Sequence, residues 1–169
     1  RPYGLFPMTG HPLLTADRHS VSKTSGVWDK LWHHEPSEAK DDALLERERR
    51  HPRWRLIVRE LTSVLETLKG LETIELGSGR GDLSALLAER GAHVTLLDAS
   101  QRALDQARRR FCRLGLVAEF GQDDMLGTLD RWRGRFDIAL SSGVIEHFRG
   151  PDRTRAVRAH LSMLKPGGV

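Results

Sequence analysis

The chain has 169 residues, 38% hydrophobic and 30% charged, enough to bury one core and too few for two ordinary domains, and no apolar run approaches the ~20 residues that cross a bilayer, which argues against a membrane enzyme. A single cysteine, Cys112, leaves no intramolecular disulfide and no thiolate metal site, and no secretory pattern is visible from Arg1-Pro2-Tyr3 onward, so a reducing cytoplasm is the expected compartment. The 27 Lys and Arg exceed the 23 Asp and Glu by a formal +4, but the arginines are scattered and interleaved with apolar positions, which favours solvated helix faces over a nucleic-acid surface.

Residues 1–52 carry Pro2, Pro7, Pro12 and Pro36 without a sustained period and read as an irregular arm, with one short helix around Val27 to Trp32. From there residues 53–169 form the expected core. Ile57, Leu61, Val64, Leu65 and Leu68 recur at helical spacing, with Gly70 placed for a left-handed cap. Strand-like runs follow at Thr73 to Leu76, His93 to Leu97, Val117 to Phe120 and Phe136 to Leu140. Helical stretches at Leu83 to Arg90, Gln101 to Leu114 and Asp152 to Leu164 separate or follow them, and Leu126 to Trp132 has room only for a short helix. This alternation predicts an α/β fold in which right-handed crossovers join parallel strands into an open, doubly wound, Rossmann-like sheet, with ligands at the carboxyl ends of the strands.

The densest local signal is Ile74-Glu75-Leu76-Gly77-Ser78-Gly79-Arg80-Gly81-Asp82, an apolar strand running into a glycine-rich turn and then a helix. Glycine there permits unusual backbone angles and lets the main chain approach a ligand closely. The dinucleotide fingerprint requires a small residue at the sixth position, where this turn has Asp82, a carboxylate that a pyrophosphate would meet.

Glu75-x-Gly77-x-Gly79-x-Gly81 resembles motif I of the class I S-adenosylmethionine-dependent methyltransferases, and three further segments match that family in order. The resemblance implies that Glu75 holds the methionine amino group while Gly77, Ser78, Gly79 and Gly81 form the cofactor loop. Val94-Thr95-Leu96-Leu97-Asp98 resembles the second strand, whose terminal acid accepts both ribose hydroxyls. Asp98 and the adjacent Ala99 are placed there, and an acceptor-only carboxylate suits two donors. Capping of the helix near Gln101 is the competing role for Asp98. Phe120-Gly121-Gln122-Asp123-Asp124-Met125 resembles the end of the third strand, which implies Asp124, or Asp123 in a register shifted by one, as acceptor for the adenine amine, with Met125 against the ring. Without the family, two adjacent acids after a strand read as a turn.

Phe136 to Phe148 resembles motif IV, which places Ser141, Ser142 and Gly143 beside the methionine half of the cofactor. His147 is a weak candidate for a catalytic base, its alternative being a structural partner of the loop. His160 to Val169, through Lys165-Pro166-Gly167-Gly168, resembles the turn into strand five, so the sheet is expected to be incomplete at the C-terminus relative to the family's seven strands. Val27 to Trp32 resembles aromatic N-terminal segments that fold over the cofactor, core packing being the alternative for Trp28 and Trp32. His33-His34-Glu35 lacks the converging partners of a metal site, and no metal is expected. The expected activity is methyl transfer to an O, N or C nucleophile of a small-molecule acceptor. The other readings are a non-catalytic binding or RNA-interaction module and an NAD(P)-dependent oxidoreductase.

Overall fold

In the computed structural model, Gly26 and residues 28–169 are described; the remainder of the arm, and with it most of its prolines, lies outside them. Four strands, β1 (Glu72–Leu76), β2 (His93–Asp98), β3 (Ala118–Gln122) and β4 (Ile138–Leu140), form one sheet in the order β3-β2-β1-β4. All three pairings are parallel, with Leu76 opposite Leu97 and Asp98 opposite Gln122. The order reverses direction at β1, so the crevice at the carboxyl end of β1 is the place where an α/β sheet takes a ligand.

The period of two along β1 divides its side chains between the two faces. Ile74 and Leu76 enter a core with Trp132, Phe136 and Met163 beneath helix α5 (Gly150–Met163). Glu75 points to the opposite face, where Ser84 of helix α3 (Asp82–Ala88) meets it. That second face is covered by α3 and by helix α4 (Gln101–Leu114), whose Leu104, Ala107 and Phe111 pack with Val94 and Leu96. Helix α4 has both ends defined locally: Ser100 Oγ accepts from the Ala103 N–H at 3.1 Å, and Gly115 closes it in the left-handed region.

Two helices precede the sheet. Helix α1 (Glu38–Arg50) falls where the sequence predicts irregular chain, because only Leu45 and Asp41 are buried on it and the apolar period is nearly absent. Its remaining signal is polar: acids in the first turn and arginines in the last. Helix α2 (Pro52–Leu65) follows, and stops short of the predicted Gly70 cap because Glu66 already takes a positive φ of 60°. Val64, expected on its buried face, is 64% exposed. Beyond α5, the Val169 N–H donates to the Asp137 carbonyl and the Ala139 N–H to that of Val169, so the last residues run along β4.

Helix α1 is tied to the rest by a buried guanidinium. Arg110, 1% exposed, donates from Nε to Asp41 at 2.8 Å and from its terminal nitrogens to Asp41, Asp82 and the Arg80 carbonyl. Arg113 adds a second donor to Asp41 at 2.8 Å. Burial on its own would push the Asp41 carboxyl up; the hydrogen bonds from Arg110 and Arg113 outweigh it and hold the group below the usual range. Removing one partner of such a cluster strands the other charges, so Arg110→Ala is expected to lower the unfolding free energy by ~3–5 kcal/mol in urea titration. Arg110→Lys is expected to recover little of it, because one ammonium cannot serve both carboxylates and the carbonyl in the fork geometry. A loss below about 1 kcal/mol, the ordinary worth of an exposed pair, would show that the cluster is ornamental.

Candidate active site

The glycine-rich turn leaves β1 with Gly77, Gly79 and Gly81 at φ of 69°, 54° and 70°. Three different neighbours require the missing side chains. A Cβ at Gly77 would fall 2.6 Å from Val144, one at Gly79 would fall 2.8 Å from the Trp32 ring, and one at Gly81 would fall 2.3 Å from Leu96. Gly81 therefore seats α3 on the sheet, whereas Gly77 and Gly79 belong to the wall of a cavity of about 340 Å³. The turn is pinned from β2: the N–H groups of Gly77 and Ser78 donate to the Leu97 carbonyl at 2.7 and 3.1 Å, and that of Gly79 to Asp98 Oδ2 at 2.7 Å.

Of the residues expected from sequence, Glu75, Gly77, Ser78, Gly79, Asp98, Ala99, Asp123, Asp124, Met125, Ser142, Gly143 and His147 line this one cavity at the carboxyl ends of the strands. Gly81 and Ser141 do not line it. Sequence reasoning passed over Asp82, Arg53, Val144 and Phe148 as lining residues. In the sequence Asp82 reads only as an obstacle to pyrophosphate; its ion pair with Arg110 is not legible there because the partner lies on another helix.

Acidic side chains outnumber basic ones around the cavity. Glu75, Asp82, Asp98, Asp123 and Asp124 face it, against Arg53 and Arg80. Asp82 pairs with Arg110, and Asp123 Oδ2 accepts from Arg131 and from the Trp132 Nε1–H at 2.9 Å. Glu75 and Asp98 have a different kind of support. Ser84 donates to Glu75 Oε2 from its N–H at 3.1 Å and from Oγ at 2.6 Å, and Asp98 takes the N–H groups of Gly79 and Ser100. Helix α4 is capped by Ser100 itself, so Asp98 is left to the loop and the cavity. Burial drives both carboxyl groups up against those hydrogen bonds, Glu75 to about 8, with the charges of Asp82 and Asp98 adding to the rise at Glu75.

The arm supplies the remaining wall. A helical turn at residues 28–31 puts Trp28, Leu31 and Trp32 into the cavity lining. Trp28 stands edge-on to His147 with ring centroids 5.2 Å apart, and the Arg80 guanidinium lies 5.8 Å from the Trp32 ring centre. Asp29 holds the turn in place by accepting from Ser100 Oγ at 2.5 Å, and Gln106 Nε2 donates to the Trp32 carbonyl at 2.9 Å. Among the described residues no His, Cys, Asp and Glu cluster has the makings of a metal site, and no helix is long and apolar enough to cross a membrane.

A small cationic cofactor fits this wall. Gly77, Ser78 and Gly79 bring main chain to it, and Glu75 and Asp98 bring two buried carboxyl groups. Residues 74–168, more than half of the chain, match the family model described as a methyltransferase domain. The chain belongs to the S-adenosylmethionine-dependent methyltransferase family.

A ubiquinone biosynthesis O-methyltransferase of Pseudomonas aeruginosa (strain UCBPP-PA14) is 32% identical over 101 residues, 60% of this methyltransferase-family chain and 43% of the relative. One from Bordetella avium (strain 197N) is 28% identical over 161 residues, 93% of this chain and 61% of the relative. The chain thus spans less than two thirds of the length of these relatives. The magnesium protoporphyrin IX methyltransferase of Synechocystis PCC 6803 with bound SAM superposes with a TM-score of 0.63 at 18% identity, covering 89% of this chain and 74% of its own, a likeness of fold.

The raised carboxyl of Glu75 has a consequence for stability. An acid whose folded value lies above the unfolded value binds more protons when folded, so its contribution to stability is full below about 4.5 and is lost as pH rises towards about 8. Glu75→Gln, which keeps the acceptor for Ser84, is therefore expected to melt several degrees above the native chain at pH 8.5, and the advantage should vanish near pH 4.5. Equal melting temperatures at both pH values would mean that Glu75 is ionised in the folded chain.

Proposed function

We propose that this chain carries the cofactor-binding core of an enzyme that transfers methyl from S-adenosylmethionine to a nucleophile of a small-molecule acceptor. The observation that carries it is one cavity bringing together the glycine turn and two buried carboxyl groups, Glu75 and Asp98, that have no basic ion-pair partner among the described residues. Such a wall favours a ligand with an ammonium, a sulfonium and vicinal hydroxyls. It disfavours a dinucleotide, whose pyrophosphate would face these acids.

The bound cofactor supplies a methyl group on a positively charged sulfur, already electrophilic. What the chain adds is position and exclusion of water. Glu75 would hold the ammonium and Asp98 the ribose hydroxyls, with Ser78 in the loop between them. Asp123 is drawn to the wall by Arg131 and Trp132, which supports Asp124 as the acceptor for the adenine amine, beside Met125. Ser142 and Gly143 would flank the methionine half, and Ser141, which does not line the cavity, is left out of that group. His147, edge-on to Trp28 in the cavity lining, stays the candidate for taking the proton of an acceptor hydroxyl, the alternative being a structural partner of the loop. Relatives named for O-methylation support oxygen as the atom methylated and a small molecule as its bearer.

An RNA-binding module is the second reading. Against it, surface arginines are engaged in local ion pairs: Arg49 with Glu89, Arg133 with Asp130, Arg135 with Glu119 and Arg155 with Asp152. Such pairing competes with phosphate contacts.

Calorimetric titration of the folded chain with S-adenosylhomocysteine is expected to give saturable binding, and NADH none. Asp98→Ala should weaken the former at least about ten-fold by removing two charge-assisted hydrogen bonds. Because an arriving ammonium favours the ionised form of Glu75, binding at pH 7 should release a proton, seen as a heat that depends on the ionisation enthalpy of the buffer and disappears in Glu75→Gln. Binding of NADH instead, or of the homocysteine compound without dependence on Asp98, would overturn the reading.

A further inference from the structure

The glycine turn and the acids account for one side of the cavity and leave an apolar side unassigned. Trp28, Leu31 and Trp32 stand at positions i, i+3 and i+4, so a helical turn puts all three on one face, and all three line the cavity. Val144, His147 and Phe148 repeat that spacing around the short helix Ile145–His147 and line it as well. The two faces meet where Trp28 stands edge-on to His147. Leu31, 44% exposed, belongs to the mouth of the space between them.

Both turns sort their residues by charge. On the first, Asp29 accepts from Ser100, and Asp29 and Lys30 border a different hollow beside Arg102. On the second, Glu146 and Arg149 are absent from the lining. The two basic residues of the cavity are engaged elsewhere: Arg53 pairs with Glu48, and Arg80 lies over the Trp32 ring beside Asp41. A carboxylate or an ammonium pressed between these faces would lose its water without meeting an opposite charge on either of them. A flat ring would meet the side chains of Trp28, Trp32 and Phe148.

Of the six side chains, that of His147 is the one able to take a proton. In water a phenolic hydroxyl ionises ~3.5 units above an imidazole, and an aliphatic one, like water itself, ~9 units above it. Only the first gap is small enough for an imidazole to act as general base on the hydroxyl. We propose that the acceptor is an uncharged phenol whose ring enters between the two faces with its hydroxyl towards His147. The assignment rests on the methyl-transfer reading of the same cavity. As the phenol oxygen bonds to the methyl carbon, the sulfur keeps the electron pair of the bond it loses and the hydroxyl proton passes to His147.

The test is a titration at saturating S-adenosylhomocysteine, followed by the methyl NMR signals of Leu31 and Val144, with three probes of similar shape: p-cresol, 4-methylcyclohexanol and 4-methylbenzoate. The native chain is expected to bind p-cresol at least about five-fold more tightly than the saturated alcohol, the worth of one or two ring contacts, and at least about ten-fold more tightly than the anion. Signals on both faces, from Leu31 and from Val144, should shift with p-cresol. In Trp28→Leu, checked as folded by circular dichroism and again saturated with S-adenosylhomocysteine, the preference for the ring should fall below about two-fold; the comparison in the native chain needs no substitution. A folded native chain that takes no S-adenosylhomocysteine would sink the methyl-transfer reading and this assignment with it. With Asp98-dependent binding of S-adenosylhomocysteine intact, the phenol assignment alone falls if p-cresol does not saturate, if it binds no better than the saturated alcohol or the anion, or if Trp28→Leu leaves the preference unchanged.

Discussion

One buried guanidinium sets the geometry on which the candidate site depends. Arg110 reaches from α4 to Asp41 on α1, to Asp82 at the start of α3 and to the carbonyl of Arg80 in the turn between them. Taking that charge out of water is costly, and it becomes tolerable because two carboxylates and a carbonyl accept its hydrogen bonds. The result is a rigid back wall for the glycine turn. Helix α3 can then begin with an acid at Asp82, where a dinucleotide fold keeps a small residue, because that acid faces an arginine instead of a phosphate.

The front of the turn obeys the opposite rule. There the acids are buried against neutral donors: Ser84 for Glu75, and backbone N–H groups for Asp98. Low-dielectric surroundings make an unpaired carboxylate expensive, which is why both groups are driven towards the protonated state. A cationic ligand relieves that cost, so the same burial that penalises the empty cavity rewards occupation. Back and front thus divide the labour, one fixing shape and the other storing affinity.

How much of this could be read from the residues depends on whether the cause is local. The strands and α4 were legible because period two, period 3.6, Ser100 and Gly115 are all signals within a few residues of their effect. The glycine turn was legible as a candidate site for the same reason, and it does line the cavity. Gly81 was legible only as a glycine: its partner Leu96 comes from the next strand, so the spacing could not say that its missing side chain makes room for packing and that it does not line the cavity. Helix α1 was illegible because its stabilisation is a salt bridge to a residue 69 positions away and not an apolar stripe. Glu66 at positive φ broke the expected cap at Gly70, an outcome that propensity argues against.

The indole of Trp32 occupies the space that a side chain at Gly79 would need, and a few residues further on Asp41 is clasped by Arg110. Two fixed moorings on one short stretch of backbone make its length a structural parameter. Residues 33–40 can vary in type while the chain stays anchored at both ends, but adding or deleting one slackens or overdraws the span and sacrifices a mooring. In a lineage descended from this protein, substitutions should accumulate in that stretch long before insertions do, and an exchange at Gly79 should survive only where a smaller ring has first replaced the indole.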